Sequence, residues 1–188
     1  MISIETETQL IDTLGTDKKL QFATLRGRDT CYVGGLVGPG NFECDGALER
    51  GWLKDLTDFV YEQVSPEMSG NKLNHLLINR YPPGGGIMPH EDGPRYFPVV
   101  NILSLGSPCV MKFTSKQDRD MSFKIFLPAR SLLQFSNQAY KEYLHSIDFV
   151  SVDIIDDTVL WAPKEPQVIR TERYSLTFRY VTAEPVEQ

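Results

Sequence analysis

After Pro66 the chain breaks into short runs rich in β-branched and aromatic residues, at 74–81, 97–105, 109–114, 122–127, 131–136, 146–154 and 172–181. Each is bounded by Pro, Gly, Ser or Asn, which stop a strand and turn the chain. Segments this short and this regularly spaced bury their apolar faces only by stacking on one another. They predict a mainly β domain, a sandwich or barrel, and the spacing fits a jelly roll.

The N-terminal third reads differently. Leu10, Ile11 and Leu14 share one face of a short helical stretch. Residues 21–45 are rich in Gly, Arg and aromatics and are expected to form hairpins or loops. From Ala47 to Val64 the apolar residues Leu48, Trp52, Leu56, Phe59, Val60 and Val64 follow helical spacing, which predicts an amphipathic helix. At 188 residues the chain has the size of one domain and can bury a core without cross-links.

No stretch approaches the roughly 18 apolar residues needed to cross a bilayer. Met1 to Leu10 resembles neither a signal peptide nor a transit peptide, so an intracellular protein of the cytoplasm and/or nucleus is expected. Cys31, Cys44 and Cys109 contain no C-x-x-C pair; reduced thiols in or near the core are expected rather than a disulfide framework or a zinc ribbon. The net charge of −6 weighs against binding long duplex DNA by phosphate neutralisation. A nucleic-acid partner would need a local basic patch or contact with few phosphates. Nothing in the sequence sets the oligomeric state.

The first chemical signal is His90-Glu91-Asp92. In extended chain, residues i and i+2 point the same way, so an imidazole and a carboxylate can grip one ion. The other histidines are His75 and His145. His145 lies near a strand boundary and completes a set of two histidines and one carboxylate, the facial triad of non-haem iron(II) oxygenases. The same ligands also suit a hydrolytic zinc, and a surface His-Asp pair in a Gly/Pro-rich turn fits the local sequence as well. His75 is expected to be a packed or hydrogen-bonded histidine, Arg95 a surface arginine and Trp161 an exposed aromatic in a loop over 156–167.

The second signal is Arg173-Tyr174-Ser175-Leu176-Thr177-Phe178-Arg179-Tyr180. Strict alternation puts Arg173, Ser175, Thr177 and Arg179 on one face and apolar groups on the other. Such a polar face either meets water or lines a polar interior. From Arg173 to Arg179 the strand spans roughly 20 Å. With each guanidinium reaching inward, the gap of about 8 Å between the forks approaches the length of a five-carbon diacid. Asn79 and Tyr81 share a face on the run 74–81, just ahead of Pro82-Pro83-Gly84-Gly85-Gly86, and add an amide and a phenol as donors. The glycines are not a phosphate loop, since no Gly-Lys-Ser/Thr follows; they are expected to let the backbone turn tightly ahead of His90.

Taken together, Asn79-x-Tyr81, His90-x-Asp92, His145 and Arg173-x5-Arg179 resemble the AlkB family of iron(II)- and 2-oxoglutarate-dependent dioxygenases. The segments Gly86 to Pro94, Tyr96-Phe97-Pro98, Ser104 to Ser107 and Ala139-Tyr140 are similar to its sixth-homologue subgroup. The resemblance covers about residues 26–181. It implies a double-stranded β-helix, with 1–73 as an N-terminal helix and lid extension and 74–182 as the jelly-roll core of a single domain. It implies iron(II) on His90, Asp92 and His145, with 2-oxoglutarate contacted by Asn79, Tyr81, Arg173, Ser175 and Arg179, and dioxygen as the second cosubstrate. Oxidative demethylation of alkylated nucleobases, single-stranded or flipped out of a duplex, is the expected activity. A protein or small-molecule hydroxylase and a catalytically silent nucleic-acid-binding module are the alternatives. In members that repair nucleic acid, lid loops clamp a flipped base. Here the corresponding region, with Arg26, Arg28, Tyr32 and Phe42, is short and not strongly basic, which leaves the substrate open.

Overall fold

A computed structural model describes residues 2–35 and 44–182. In chain order the elements are α1 (Ile4–Thr16), β1 (Ala23–Leu25), β2 (Arg28–Val33), a 3-10 turn (Ala47–Glu49), α2 (Gly51–Val64), a second 3-10 turn (Ser65–Met68), β3 (His75–Tyr81), β4 (Ile87–His90), β5 (Val99–Gly106), β6 (Cys109–Ser115), β7 (Ser122–Leu127), β8 (Leu132–Ser136), α3 (Asn137–Lys141), β9 (Tyr143–Ile147), β10 (Val152–Ile154), β11 (Val159–Leu160), β12 (Gln167–Ile169) and β13 (Arg173–Arg179). No helix among the described residues is long and apolar enough to cross a membrane.

Alternation decides the architecture. The major sheet runs β1-β2-β3-β13-β5-β8 and the minor sheet β11-β7-β6-β9-β4, with β10 and β12 as a separate pair. This is the mainly β jelly roll that the strand spacing predicts. The outward face of the major sheet, with Leu76, Ile78, Leu103, Leu105, Leu176 and Phe178, packs beneath Leu14 of α1 and Leu56, Val60 and Val64 of α2. The inward apolar residues, Val100, Ile102, Met111, Phe113, Ile125, Leu133 and Phe135 among them, fill the space between the sheets. Each fully buried side chain of this size contributes roughly 1.5–3 kcal/mol. At one end of that interior the residues are polar instead, and there the site lies.

Several elements differ from the sequence reading. The run 146–154 is two strands: β9 ends at Ile147, and the chain turns at Asp148, whose carbonyl accepts from Val150 N and from Arg170 Nη1. The helix over 47–64 is broken at its start, because Arg50 is extended and Gly51 takes a φ of +55°. Phe59, placed on its apolar face by spacing, is 37% exposed. The segment 156–167 holds the short β11, paired parallel with β7, and reaches the start of β12. Cys44 is exposed, whereas Cys31 and Cys109 are buried. Trp161 is exposed, as expected.

Candidate active site

The glycine run performs the turn expected of it. Gly85 N donates to Pro82 O, and Gly84, at φ +78°, occupies the position in that turn that only glycine takes without strain. Gly86 then lies so near β9 that a Cβ there would meet Ile147 O at 2.5 Å. This close approach lets Ile87 pair with Ile147 and His90 with His145. Pro89 is tolerated in β4 because β4 is an edge strand.

The register therefore brings the two imidazoles together, with ring centroids 4.2 Å apart. His145 is buried against Phe135 and Phe113, at 5.2 and 6.2 Å. Burial pushes its pKa down to about 3 and lowers that of His90 as well. Both rings are neutral near pH 7 and keep a lone pair for coordination. His90 Nδ1–H donates to Met88 O at 2.9 Å; a carbonyl only accepts, so the free lone pair sits on Nε2.

Asp92 is buried just past β4, near enough for its charge to oppose the fall in both imidazole pKa values. Its Oδ1 accepts from Arg179 Nη2 at 2.5 Å, while Oδ2 has no hydrogen-bond partner among the described residues. The carboxylate is thus held by Arg179 rather than directed at the imidazoles. Among the described residues no three His, Cys, Asp or Glu side chains are gathered at metal-binding distance. Arg179 also lies over the Tyr96 ring, 4.6 Å from its centroid, and Tyr96 packs on the buried His75 at 5.4 Å. Tyr140 donates to Tyr96 O at 3.4 Å. Arg95, read from the sequence as a surface residue, is buried beside this cluster, where its carbonyl accepts from Thr182 N. Glu91, between the two candidate ligands, pairs with Lys116 of the β6–β7 hairpin.

The polar face of β13 does not meet water. The strand is central, with β3 on one side and β5 on the other, and every residue of it is buried. Arg173 pairs with Tyr81 and Gly106, and Ser175 with Asn79 and Ser104, so all five polar side chains share one inward face. Arg173 Nη2 donates to Ser104 Oγ at 2.9 Å, and its guanidinium lies over the Tyr81 ring at 5.5 Å. Among the described residues its Nε and Nη1 have no hydrogen-bond partner and no carboxylate pairs with it. A guanidinium at 3% exposure is costly to leave uncompensated.

Beside His90 is a cleft of about 310 Å³ lined by Arg26, Arg28, Ile87, Met88, His90 and Phe149. Larger clefts of about 460 and 730 Å³ lie against α1 and α2 and include none of the candidate site residues. Of the lid residues named from sequence, Arg26 stacks on Phe149 at 5.4 Å, Arg28 donates to Asn79, and Tyr32 packs on His75 at 6.0 Å. Phe42 lies outside the described residues. Sequence reasoning quoted Ser104 and Met88 only inside family-like segments, with no role for either, and did not single out Phe149. Ser104 is legible only through the β5–β13 register, which no local pattern encodes.

The sequence matches the 2OG-Fe(II) oxygenase superfamily over residues 43–179. It is 30% identical to "Probable RNA/DNA demethylase ALKBH6" of Danio rerio, an alignment covering 96% of this chain and 82% of that one. It is also 30% identical to "Uncharacterized protein L905" of Acanthamoeba polyphaga mimivirus, over 71% of this chain and 60% of that one. The fold superposes on the structure of OsALKBH1 with a TM-score of 0.66 at 18% identity, covering 95% of this chain and 92% of that chain. The residues that converge in this end of the jelly roll are therefore those of a protein that belongs to the 2OG-Fe(II) oxygenase superfamily, in its AlkB branch, a dioxygenase with iron(II) as cofactor and 2-oxoglutarate and dioxygen as cosubstrates.

Proposed function

We propose that His90, Asp92 and His145 hold the iron(II), that Arg173 takes the distal carboxylate of 2-oxoglutarate with Asn79, Tyr81, Ser175 and Arg179 around it, and that the substrate is an alkylated base of single-stranded or flipped-out nucleic acid. The observation that carries the reading is Arg173: a buried cation on an inward face, with two nitrogens unpartnered and no carboxylate to meet it among the described residues. A carboxylate seated there would receive the bidentate pairing that a guanidinium makes best. The donor set suits the metal too. Two neutral imidazoles beside a carboxylate with one unengaged oxygen are the nitrogen and oxygen ligands that ferrous iron favours.

Iron(II) with its two cosubstrates supplies the oxidation of a substrate C–H bond, with release of succinate and carbon dioxide. The protein's part is binding and orientation. Arg173 neutralises one end of the dicarboxylate, and Tyr81, Ser175 and the Asn79 amide are hydrogen-bond donors along its length. Arg179 holds Asp92 and brings a second positive charge to the metal-proximal end. An N-methyl group hydroxylated in this way becomes a hemiaminal, which loses formaldehyde and leaves the N–H. The nucleic-acid reading is supported by the name of the zebrafish relative and by the cleft beside His90, where two guanidiniums and the Phe149 ring offer phosphate contact and stacking. With a net charge of −6, few phosphates are engaged. The reading treats 1–188 as one domain and places it in the cytoplasm or nucleus.

The test is succinate release by the iron-loaded protein against methylated single-stranded oligonucleotides. We expect release above the substrate-free rate, formaldehyde in equal amount, and loss of both with rising salt. Stimulation by protein or metabolite extracts but by no oligonucleotide would overturn the substrate assignment.

A further inference from the structure

We propose that Arg28 is a positioning residue for 2-oxoglutarate, acting through the side-chain amide of Asn79; this rests on Asn79 contacting the cosubstrate as set out above. Arg28 lies on β2, whose neighbour Thr30 pairs with Asn79 of β3. Its Nε donates to Asn79 Oδ1 at 3.1 Å, across 51 positions of sequence. A guanidinium has no acceptor, so the amide atom it meets is the oxygen. That contact removes a choice. A primary amide can rotate by half a turn, exchanging an acceptor for a two-proton donor at nearly equal volume. With the oxygen held by Arg28, the NH2 is the half left for the interior, on the face shared with Ser175, Tyr81 and Arg173. A dicarboxylate needs donors there; a carbonyl oxygen in the same place would repel it.

Other features favour this over a surface arginine that happens to touch an amide. Arg28 is partly buried, and among the described residues no carboxylate pairs with it. Its neighbour Asp29 is taken by Arg80 instead, at 3.0 Å. The hairpin carrying Arg28 is fixed at its turn, where Gly27 O accepts from Gly86 N at 3.2 Å and a Cβ on Gly27 would collide with the Phe149 ring. The guanidinium also lines the cleft with His90. It therefore joins the outer wall to the cosubstrate shelf.

The experiment is a double-mutant cycle on 2-oxoglutarate affinity, by calorimetry on the 188-residue chain with iron(II) under anaerobic conditions. R28M, N79A and the double variant are compared with wild type, with thermal midpoints recorded for each. We expect R28M to weaken binding five- to tenfold in the wild-type background and less than twofold in the N79A background. R28Q, which keeps an N–H donor, should lie within threefold of wild type and serves also if R28M does not fold. Unchanged affinity in N79A would fail the underlying reading of Asn79. Weaker binding in N79A combined with no effect of R28M, or with an equal effect of R28M in both backgrounds, would leave that reading standing and overturn the role given to Arg28.

Discussion

His90 and His145 face each other across the β4–β9 ladder as register partners, their ring centroids 4.2 Å apart. The pairing is backbone-driven, so it exists before any metal binds. Asp92 differs: its carboxylate is in an ion pair with Arg179. The imidazoles are preorganised, whereas on the proposed reading Asp92 would have to exchange Arg179 for the metal, with an Oδ2 that has no hydrogen-bond partner among the described residues. We expect H90A, H145A and D92A each to abolish turnover and to cut iron(II) binding by at least tenfold, with the fold intact by circular dichroism. R179M, which frees Asp92, should retain iron binding while losing 2-oxoglutarate affinity. Full activity in any of the three alanine variants would reject the triad.

Arg173→Ala should raise the 2-oxoglutarate requirement at least tenfold. The variant removes a buried cation that has no acidic partner among the described residues, and a buried carboxylate without a counter-charge is strongly disfavoured. Half-saturation in a succinate assay measures it, and an unchanged requirement would place the salt bridge elsewhere.

The parts of this site written in local sequence were legible. His90-x-Asp92 and the alternating 173–179 run are patterns of period two, and a period of two survives whatever the strand pairs with. Whether that polar face was wet or buried was not legible, because it depends on β13 lying between β3 and β5. β4 escaped notice for a related reason: it contains Pro89 and pairs along one edge only, so it has neither the length nor the composition of a strand. The division at Asp148 was hidden because β-branched and aromatic residues stand on both sides of it, Ile147 before and Phe149, Val150, Val152 and Ile154 after. What turns the chain there is Arg170, more than twenty positions away.

That arginine makes a bond network the sequence did not suggest. Arg170 Nε and Nη2 both meet the Asp153 carboxylate, Asp153 Oδ2 accepts from Val110 N, and Arg170 Nη1 donates to Asp148 O at 2.7 Å and Gly85 O at 3.3 Å. Both charges are buried, and the pair ties β6, the end of β9 and the glycine turn to one point. Breaking one side of such a pair costs about 3–5 kcal/mol, because the other charge is left buried. D153A should lower stability by that amount in urea unfolding. A loss below about 1 kcal/mol, the range of a surface pair, would contradict the assignment.

Acid should destabilise the metal-free protein through His75 as well as His145. Burial, reinforced by Arg179, pushes the His75 pKa down to about 3, whereas in the unfolded chain it is near 6.5. Between those values the unfolded chain carries a proton at this position and the folded one does not. Stability is therefore full above pH 6.5 and falls as pH drops toward 3, by up to about 1.4 kcal/mol per pH unit for each such histidine. H75F should flatten this limb in urea midpoints taken at pH 7 and pH 5. An equally steep limb in the variant would remove His75 as a cause.

Gly84 and Gly86 share a turn but are glycine for different reasons, and substitution separates them. At Gly84 the constraint is the φ of +78°, with only the Ser151 hydroxyl close to an added Cβ, so G84A should cost about 1 kcal/mol and leave iron(II) affinity unchanged. At Gly86 the added Cβ would meet the backbone of β9 at Ile147 O and Asp148, and backbone does not move aside as a side-chain tip does. G86A must part β4 from β9, which are the strands that bring His90 to His145. We expect it to cost roughly 1–3 kcal/mol, as overpacking does, and to weaken iron(II) binding by more than tenfold. Titration of iron(II) into both variants distinguishes the two roles. Equal affinity in G84A and G86A would mean that the ladder tolerates the separation and that the imidazole pair does not depend on it.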